Sequence, residues 1–277
     1  MKIIVPMAGR GDRFVNANNK DPKPIIKIRG RRLIEYVCDM FDKENDEFVF
    51  VCNDVHIRET DMGTVLKKVV KNCTVLSMPP HKFGPVYSVY TMAYPYIKKD
   101  EPVIISYCDT PFTWDYAGFK DYVRNKDGCL VSCTGFHPHS LSSTMWAHSK
   151  TNKENKVLEV KEKACYTDNH FNEHASSGVY YFGKGEYIFK YFKQTIDENI
   201  SYNGEFYITL VYNLLIRDGL AVYSYLNDHV LAFGTPCEVQ NFEAWQTILD
   251  GGQVTNEEEL FCCYNYWRNH RNATNKS

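Results

Sequence analysis

The stretch Lys2-Ile3-Ile4-Val5-Pro6-Met7-Ala8-Gly9-Arg10-Gly11-Asp12-Arg13-Phe14, answered by Asp21-Pro22-Lys23-Pro24, decides how this chain is read. Ile3, Ile4 and Val5 form a short apolar run suited to a strand buried on both faces, and the run stops at two glycines. In α/β proteins such a junction presents backbone N–H groups to an anion. Gly9 and Gly11 lack Cβ atoms, so the chain can turn with positive φ and come close to phosphate oxygens, while Arg13 and Lys23 add charge. Two better-known glycine loops do not fit. A dinucleotide fingerprint needs a third glycine where Phe14 stands, and a Walker loop needs a Gly-Lys-Ser/Thr triplet that does not follow. Taken alone, the pattern G-x-G-x-R also describes a tight turn after a strand. The Pro-Lys-Pro segment favours phosphate binding, because proline on both sides stiffens the backbone around Lys23.

Outward from this loop, residues 31–43 place Leu33, Ile34, Val37, Met40 and Phe41 at helical spacing. Residues 47–52 are strand-like, 57–70 helical and 73–78 strand-like again, and this β-α-β-α-β alternation predicts a parallel, doubly wound sheet. The segment Pro79-Pro80-His81-Lys82-Phe83-Gly84-Pro85 breaks the chain before a helix over 86–96. A strand over 102–107 ends at Cys108-Asp109-Thr110. Further on, the pattern predicts a helix over 115–126 and strands at 129–134, 145–149, 157–161 and 178–182. Helices over 185–196 and 205–217, a strand over 221–226 and a helix over 238–250 complete the domain. Residues 1–250 are therefore read as one domain and 251–277 as a C-terminal extension, whose aromatic run Phe261 to Trp267 is a candidate homo-oligomer interface.

The chain has 277 residues, with 32 basic and 34 acidic side chains and a net charge of −2. That balance gives no global footprint for nucleic acid or an anionic membrane, so phosphate binding must be local. The ten cysteines include no C-x-x-C pair and lie mostly in apolar runs, which predicts reduced core thiols in a cytoplasmic protein. No signal peptide or membrane span is expected.

Asp109 stands at the carboxyl end of a buried strand, the edge where ligands of open sheets gather. One carboxylate beside phosphates suits Mg2+, although an Asp there also caps turns. His137-Pro138-His139 follows a strand end and is read as an acceptor contact, a structural loop or, with Cys133, a metal site. His170 and His174 are spaced i,i+4 in a setting that reads as a polar loop, and the charge-rich segment 150–163 reads as a hairpin solvated apart from Glu162 and Lys163.

G-x-G-x-R-F at 9–14, Pro22-Lys23, a strand ending in Asp109, Glu162-Lys163, Gly178, Asn203-Gly204-Glu205 with Ile208-Thr209, and Gly234-Thr235-Pro236 occur in one order. In this the chain resembles the sugar-phosphate nucleotidyltransferases, and in particular capsule-locus NTP-transferase proteins that begin with a Val/Ile-Pro-Met-Ala-Gly strand. The resemblance implies a Rossmann-like α/β fold, GT-A-like, with a mixed, mainly parallel sheet flanked by helices. It also implies an enzyme that condenses an NTP with a sugar phosphate, or a polyol or other small-molecule phosphate, to give a nucleotide-activated precursor and pyrophosphate. Carried over by position, Ala8, Gly9, Gly11, Arg13, Lys23, His81, Gly84 and Asp109 meet the nucleotide. Arg13 and Lys23 act in catalysis, and Asp109 binds Mg2+. Glu162, Lys163, Gly178 and Glu205, with His137, meet the acceptor.

Two positions depart from that family. Ala232 stands where a second metal-binding aspartate is usual, which leaves Asp109 with phosphates alone, or with another residue such as Asp228. His81-Lys82-Phe83-Gly84 replaces the usual base-reading loop, so the nucleobase stays open. Since the second pKa of a phosphate monoester is about 6, the acceptor is already a nucleophile at neutral pH and needs no general base. Competing readings are a GT-A-type glycosyltransferase, against which the absence of Asp-x-Asp at 108–110 counts, and a nucleotide-binding homologue without activity.

Overall fold

The first strand becomes the axis of the sheet. A computed structural model describes residues 1–17, 21–135 and 146–251. His137 and all but the first residue of the C-terminal extension lie outside them. The strands, in chain order, are β1 (Lys2–Met7), β2 (Glu47–Asn53), β3 (Cys73–Met78), β4 (Val103–Ser106), β5 (Gly128–Cys133), β6 (His148–Thr151), β7 (Val157–Lys161), β8 (His174–Phe182) and β9 (Val222–Leu226). Among the described residues they form a nine-stranded sheet of order β7-β6-β8-β4-β1-β2-β3, with β5 also paired to β8 and β9 to β5.

β1 lies parallel to β2, with Ile3 opposite Phe48, and parallel to β4, with Ile3 opposite Ile104. β2 is parallel to β3. Then β8 runs antiparallel to both β4 and β5, so the sheet is mixed and mainly parallel, as the resemblance implied. Ile3, Ile4 and Val5 are each 0% exposed because helices cover both faces. Ile3, Val5, Phe48, Phe50 and Ile104 pack with Leu33 and Val37 on one face. Ile4, Val49, Val51 and Ile105 pack with Val86, Val89 and Tyr212 on the other. Alternation along strands buried on both sides produces these two layers.

The helices are α1 (Asp12–Val15), α2 (Leu33–Cys38), α3 (Asp54–Glu59), α4 (Met62–Val69), α5 (Pro85–Ser88), α6 (Tyr116–Tyr122), α7 (Gly185–Tyr187), α8 (Ile208–Arg217) and α9 (Pro236–Leu249). α7 continues through Ile188–Phe192 to Asp197. Several boundaries differ from the sequence expectation. The helix expected over 57–70 is two, because Thr60 interrupts it: its hydroxyl donates to the His56 carbonyl at 2.6 Å and accepts the Met62 N–H at 3.2 Å. The helix over 86–96 widens into a π-helical segment at Val89–Ala93 and ends at Tyr94–Tyr96, where Pro95 supplies no N–H. The helix expected from 205 begins at Ile208, because Tyr202 to Glu205 forms a two-residue hairpin turn closed by reciprocal 3.0 Å backbone bonds. Asn203 and Gly204 hold φ of 52° and 78°, the left-handed pair that Asn-Gly favours. His174, expected in a polar loop, begins β8, and its Nδ1 lies 2.7 Å from Ser224 Oγ. None of the described cysteines is disulfide-bonded. No described helix is long and apolar enough to cross a membrane.

Candidate active site

The carboxyl ends of β1, β2, β3 and β4 face one edge of the sheet, and two adjoining clefts open there. One, about 400 Å3, lies over the loop after β1 and is walled by Ala8, Gly9, Arg10, His81, Gly84 and Glu205. The other, about 340 Å3, is walled by Arg13, Glu162, Lys163, Gly178, Tyr180 and Glu238. Tyr107, Asp109 and Tyr207 line both and mark the boundary.

Lys23 stands at this boundary. Its Nζ lies 2.5 Å from Asp109 Oδ2 and 3.4 Å from the Gly234 carbonyl, and 5.6 Å from the centroid of the Phe14 ring. Burial pulls the Lys23 pKa down, but the carboxylate of Asp109, with smaller help from Cys108 and Glu238, outweighs it and leaves the value above that of an ordinary lysine. The ammonium therefore stays charged at neutral pH. Pro22, with φ −56° and ψ 143°, leads into the short turn Lys23–Ile25 that positions it. Gly11 has φ 69°, and a Cβ there would meet the Cβ of Lys23 at 3.5 Å, so the glycine loop and the Pro-Lys-Pro segment are in contact.

Gly84 has φ 85°, and a Cβ on it would lie 2.8 Å from the backbone N and O of Phe206. This close approach lets Phe206 N–H donate to the Phe83 carbonyl at 2.8 Å, tying the loop after β3 to the chain entering α8. His81 Nδ1 accepts the Phe83 N–H at 3.1 Å, and Nε2 lies 2.9 Å from Ser88 Oγ. Nδ1 is thus the unprotonated nitrogen, and burial lowers the imidazole pKa, keeping the ring neutral.

On the other side, Gly178 has φ 80° at an irregularity in β8. A Cβ would lie 2.5 Å from Thr110 Oγ1 and 3.3 Å from Tyr107 Cβ, so only glycine fits. Glu162 is 9% exposed; burial raises its pKa to about 7 despite a short hydrogen bond from the Thr209 hydroxyl and the charge of Lys163. Lys163 turns into the cleft with φ 50°, donates to Tyr207 Oη at 2.8 Å and lies over the rings of Tyr202 and Tyr207.

Ala8, Gly9, Gly11, Lys23, His81, Gly84 and Asp109 thus gather around the first cleft and its boundary. Arg13, Glu162, Lys163 and Gly178 gather in the second. Glu205 lines the first cleft, where the Asn203-Gly204 turn sets the chain before α8 against the loop after β3, and it lies close enough to Tyr207 and Glu162 to add to burial in raising the pKa of both. His137 lies outside the described residues. Asp228 lines neither cleft; its N–H donates to the Thr113 carbonyl at 3.1 Å.

The residue that sequence reading missed is Glu238. Thr235 Oγ1 accepts the Glu238 N–H at 3.3 Å, and Glu238 Oε2 accepts the Thr235 N–H at 2.9 Å, a reciprocal cap at the start of α9. A Cβ on Gly234 would lie 3.1 Å from Glu238 Oε2 and 3.8 Å from Asp109 Oδ2, so both carboxylates face this glycine. The pair supplies hard oxygen donors beside Lys23 and the glycine loop, a set that fits Mg2+. Thr235-x-x-Glu238, at the head of the last predicted helix, was the signal in the sequence.

Among solved structures, the nucleoside-diphosphate-sugar pyrophosphorylase from Vibrio cholerae RC9 is similar at a TM-score of 0.70 and 22% identity, over 87% of this chain and 99% of that one. The inositol-1-phosphate CTP transferase from T. maritima is similar at 0.67 and 17% identity, over 91% and 98%. At these identities the likeness is one of fold. Comparison with curated proteins finds no match. The profile described as the MobA-like NTP transferase domain matches residues 3–157, which takes in β1 to β6, the glycine loop, Lys23 and Asp109. The chain belongs to the MobA-like NTP transferase domain family and is a nucleotidyltransferase of that type.

Proposed function

We propose that the protein transfers a nucleotidyl group from an NTP to the phosphate of a sugar, polyol or other small molecule. The product would be a nucleotide-activated precursor for a surface or capsular polysaccharide, made in the cytoplasm, with pyrophosphate released. The observation that carries this reading is the charged Lys23, held with Asp109 where the two clefts meet. A nucleotide in the first cleft and a phosphorylated acceptor in the second would face each other at this point.

In this reading Gly9 and Gly11 hold the β and γ phosphates from the first cleft, Arg13 meets the triphosphate from the wall of the second, and Lys23 exchanges Asp109 for oxygens of the α phosphate. An acceptor oxygen attacks the α phosphorus, an acceptor O–P bond forms, and the bond from the α phosphorus to its bridging oxygen breaks. The electron pair leaves with pyrophosphate. Charge grows on the leaving group and on the α oxygens, and Lys23 and Arg13 stabilise it without a proton transfer. Glu162, Lys163 and Gly178 position the acceptor, and Tyr207 links the two sides through Lys163. Mg2+, held by Asp109 and Glu238, would neutralise phosphate charge and orient the triphosphate when bound.

The test is to incubate the protein with each of the four NTPs, Mg2+ and a panel of sugar and polyol phosphates, and to follow pyrophosphate. One combination is expected to release it stoichiometrically with a nucleotide-activated product. NTP binding with no release in any combination would favour the inactive-homologue reading.

A further inference from the structure

His148, Cys165 and Glu173, none of which lines either cleft, bring one imidazole nitrogen, one thiol sulfur and one carboxylate oxygen within 4.8 Å of one another. The chain brings them together from three elements. His148 opens β6, Cys165 lies in the loop after β7, and Glu173 directly precedes β8. Cys165 Sγ lies 3.7 Å from His148 Nδ1 and 4.0 Å from Nε2. With Zn–S near 2.3 Å and Zn–N near 2.05 Å, the S···N edge of a tetrahedral zinc centre is about 3.5 Å, so the sulfur and imidazole already stand close to ligating separation.

We infer that His148, Cys165 and Glu173 form a zinc site that staples the loop between β7 and β8 to β6. The donor set selects the ion: thiolate and imidazole favour zinc over magnesium, and Cys⁻, neutral His and Glu⁻ balance two positive charges. His148 is buried, so its imidazole meets the cluster rather than solvent. Zinc binding would displace the Cys165 thiol proton to solvent. Glu173 is held in place from the same loop, since Oε1 accepts the Thr167 N–H at 2.6 Å and Oε2 the Tyr166 N–H at 3.0 Å. His170, with its ring centroid 6.1 Å from that of His148, stands outside the cluster, so solvent water would complete the tetrahedron.

The position gives the staple a role. His148 follows Ala147, Cys165 comes two residues after Lys163, and Glu173 three before Ser176, and Ala147, Lys163 and Ser176 all line the second cleft. Zinc here fixes three segments of that wall from behind. The site rests on its own ligands and stands independently of the proposed acceptor.

The test uses the full chain, reduced, with Zn2+ and Co2+ as probes. About one zinc per chain is expected after dialysis against metal-free buffer, and Co2+ should give a thiolate-to-cobalt charge-transfer band. Cys165→Ser should abolish that band and weaken zinc binding about a hundredfold or more, and His148→Gln should weaken it similarly, whereas Cys73→Ser should change neither. In the unaltered protein Zn2+ should slow alkylation of Cys165, read by peptide mass spectrometry, which holds even if a variant folds poorly. No bound zinc, equal binding by Cys165→Ser, or alkylation of Cys165 at the same rate with and without zinc would overturn the assignment.

Discussion

Replacing Glu162 by glutamine tests the physical picture of the second cleft, because the two side chains share a shape and differ in ionisation. In the folded protein Glu162 holds its proton to about pH 7, against 4.5 for an ordinary glutamate, chiefly because it is buried. Between those values the folded state carries a proton that the unfolded chain has lost, so stability falls as pH rises through the window and is level above it. The gap, at about 1.4 kcal/mol per pH unit, amounts to about 3 kcal/mol. This stability is present in full below pH 4.5 and gone above 7. The glutamine amide never ionises, and its carbonyl oxygen still accepts the Thr209 hydroxyl that Glu162 accepts. The stability of Glu162→Gln relative to the unaltered protein should therefore climb by about 3 kcal/mol between about pH 4.5 and 8.5, measured by urea denaturation at half-unit steps. Other carboxylates titrate in both proteins and cancel in the difference. A difference that stays flat across the range would refute the raised ionisation of Glu162.

Lys23→Ala should lower the rate of nucleotidyl transfer by about 10²- to 10³-fold in a protein that still folds, with a lower melting temperature because Asp109 loses its ion-pair partner; equal rates in the two proteins would remove Lys23 from catalysis. Gly178→Ala forces a Cβ to within 2.5 Å of Thr110 Oγ1 at φ 80°, and should cost about 1–3 kcal/mol in denaturant unfolding and raise the acceptor KM. Thr235→Ala removes the hydroxyl that caps α9, so it should cost about 1 kcal/mol and, by loosening Glu238, raise the Mg2+ concentration needed for half-maximal rate. An unchanged Mg2+ dependence would separate Glu238 from the metal.

Much of this architecture was legible in the chain because it depends on local patterns. The apolar run at Ile3 to Val5 and the β-α alternation to Met78 predicted a strand buried on both faces in a parallel βαβ arrangement, and β1 with its parallel neighbour β2 is that. Lys23 and Asp109 were each legible, yet their contact was not, since 86 residues separate them and only the parallel pairing of β1 with β4 brings their loops together. Glu205 was legible as a candidate by its type, but its place in the wall of the first cleft depends on the left-handed Asn203-Gly204 turn. Thr60 split a helix that periodicity alone could not divide, because a local side-chain bond decided it. The cluster of His148, Cys165 and Glu173 had no signature at all, since its members have neither the short spacing of a zinc ribbon nor a shared element.

The central claim is attack at the α phosphate of an NTP by a phosphorylated acceptor. It is tested most directly by following two labels in the same reaction, one on the α and one on the γ phosphate. The α label should appear in a product that also contains the acceptor, and the γ label in pyrophosphate, in equal amounts. A γ label found in inorganic phosphate or on the acceptor, with a nucleoside diphosphate left behind, would contradict the account.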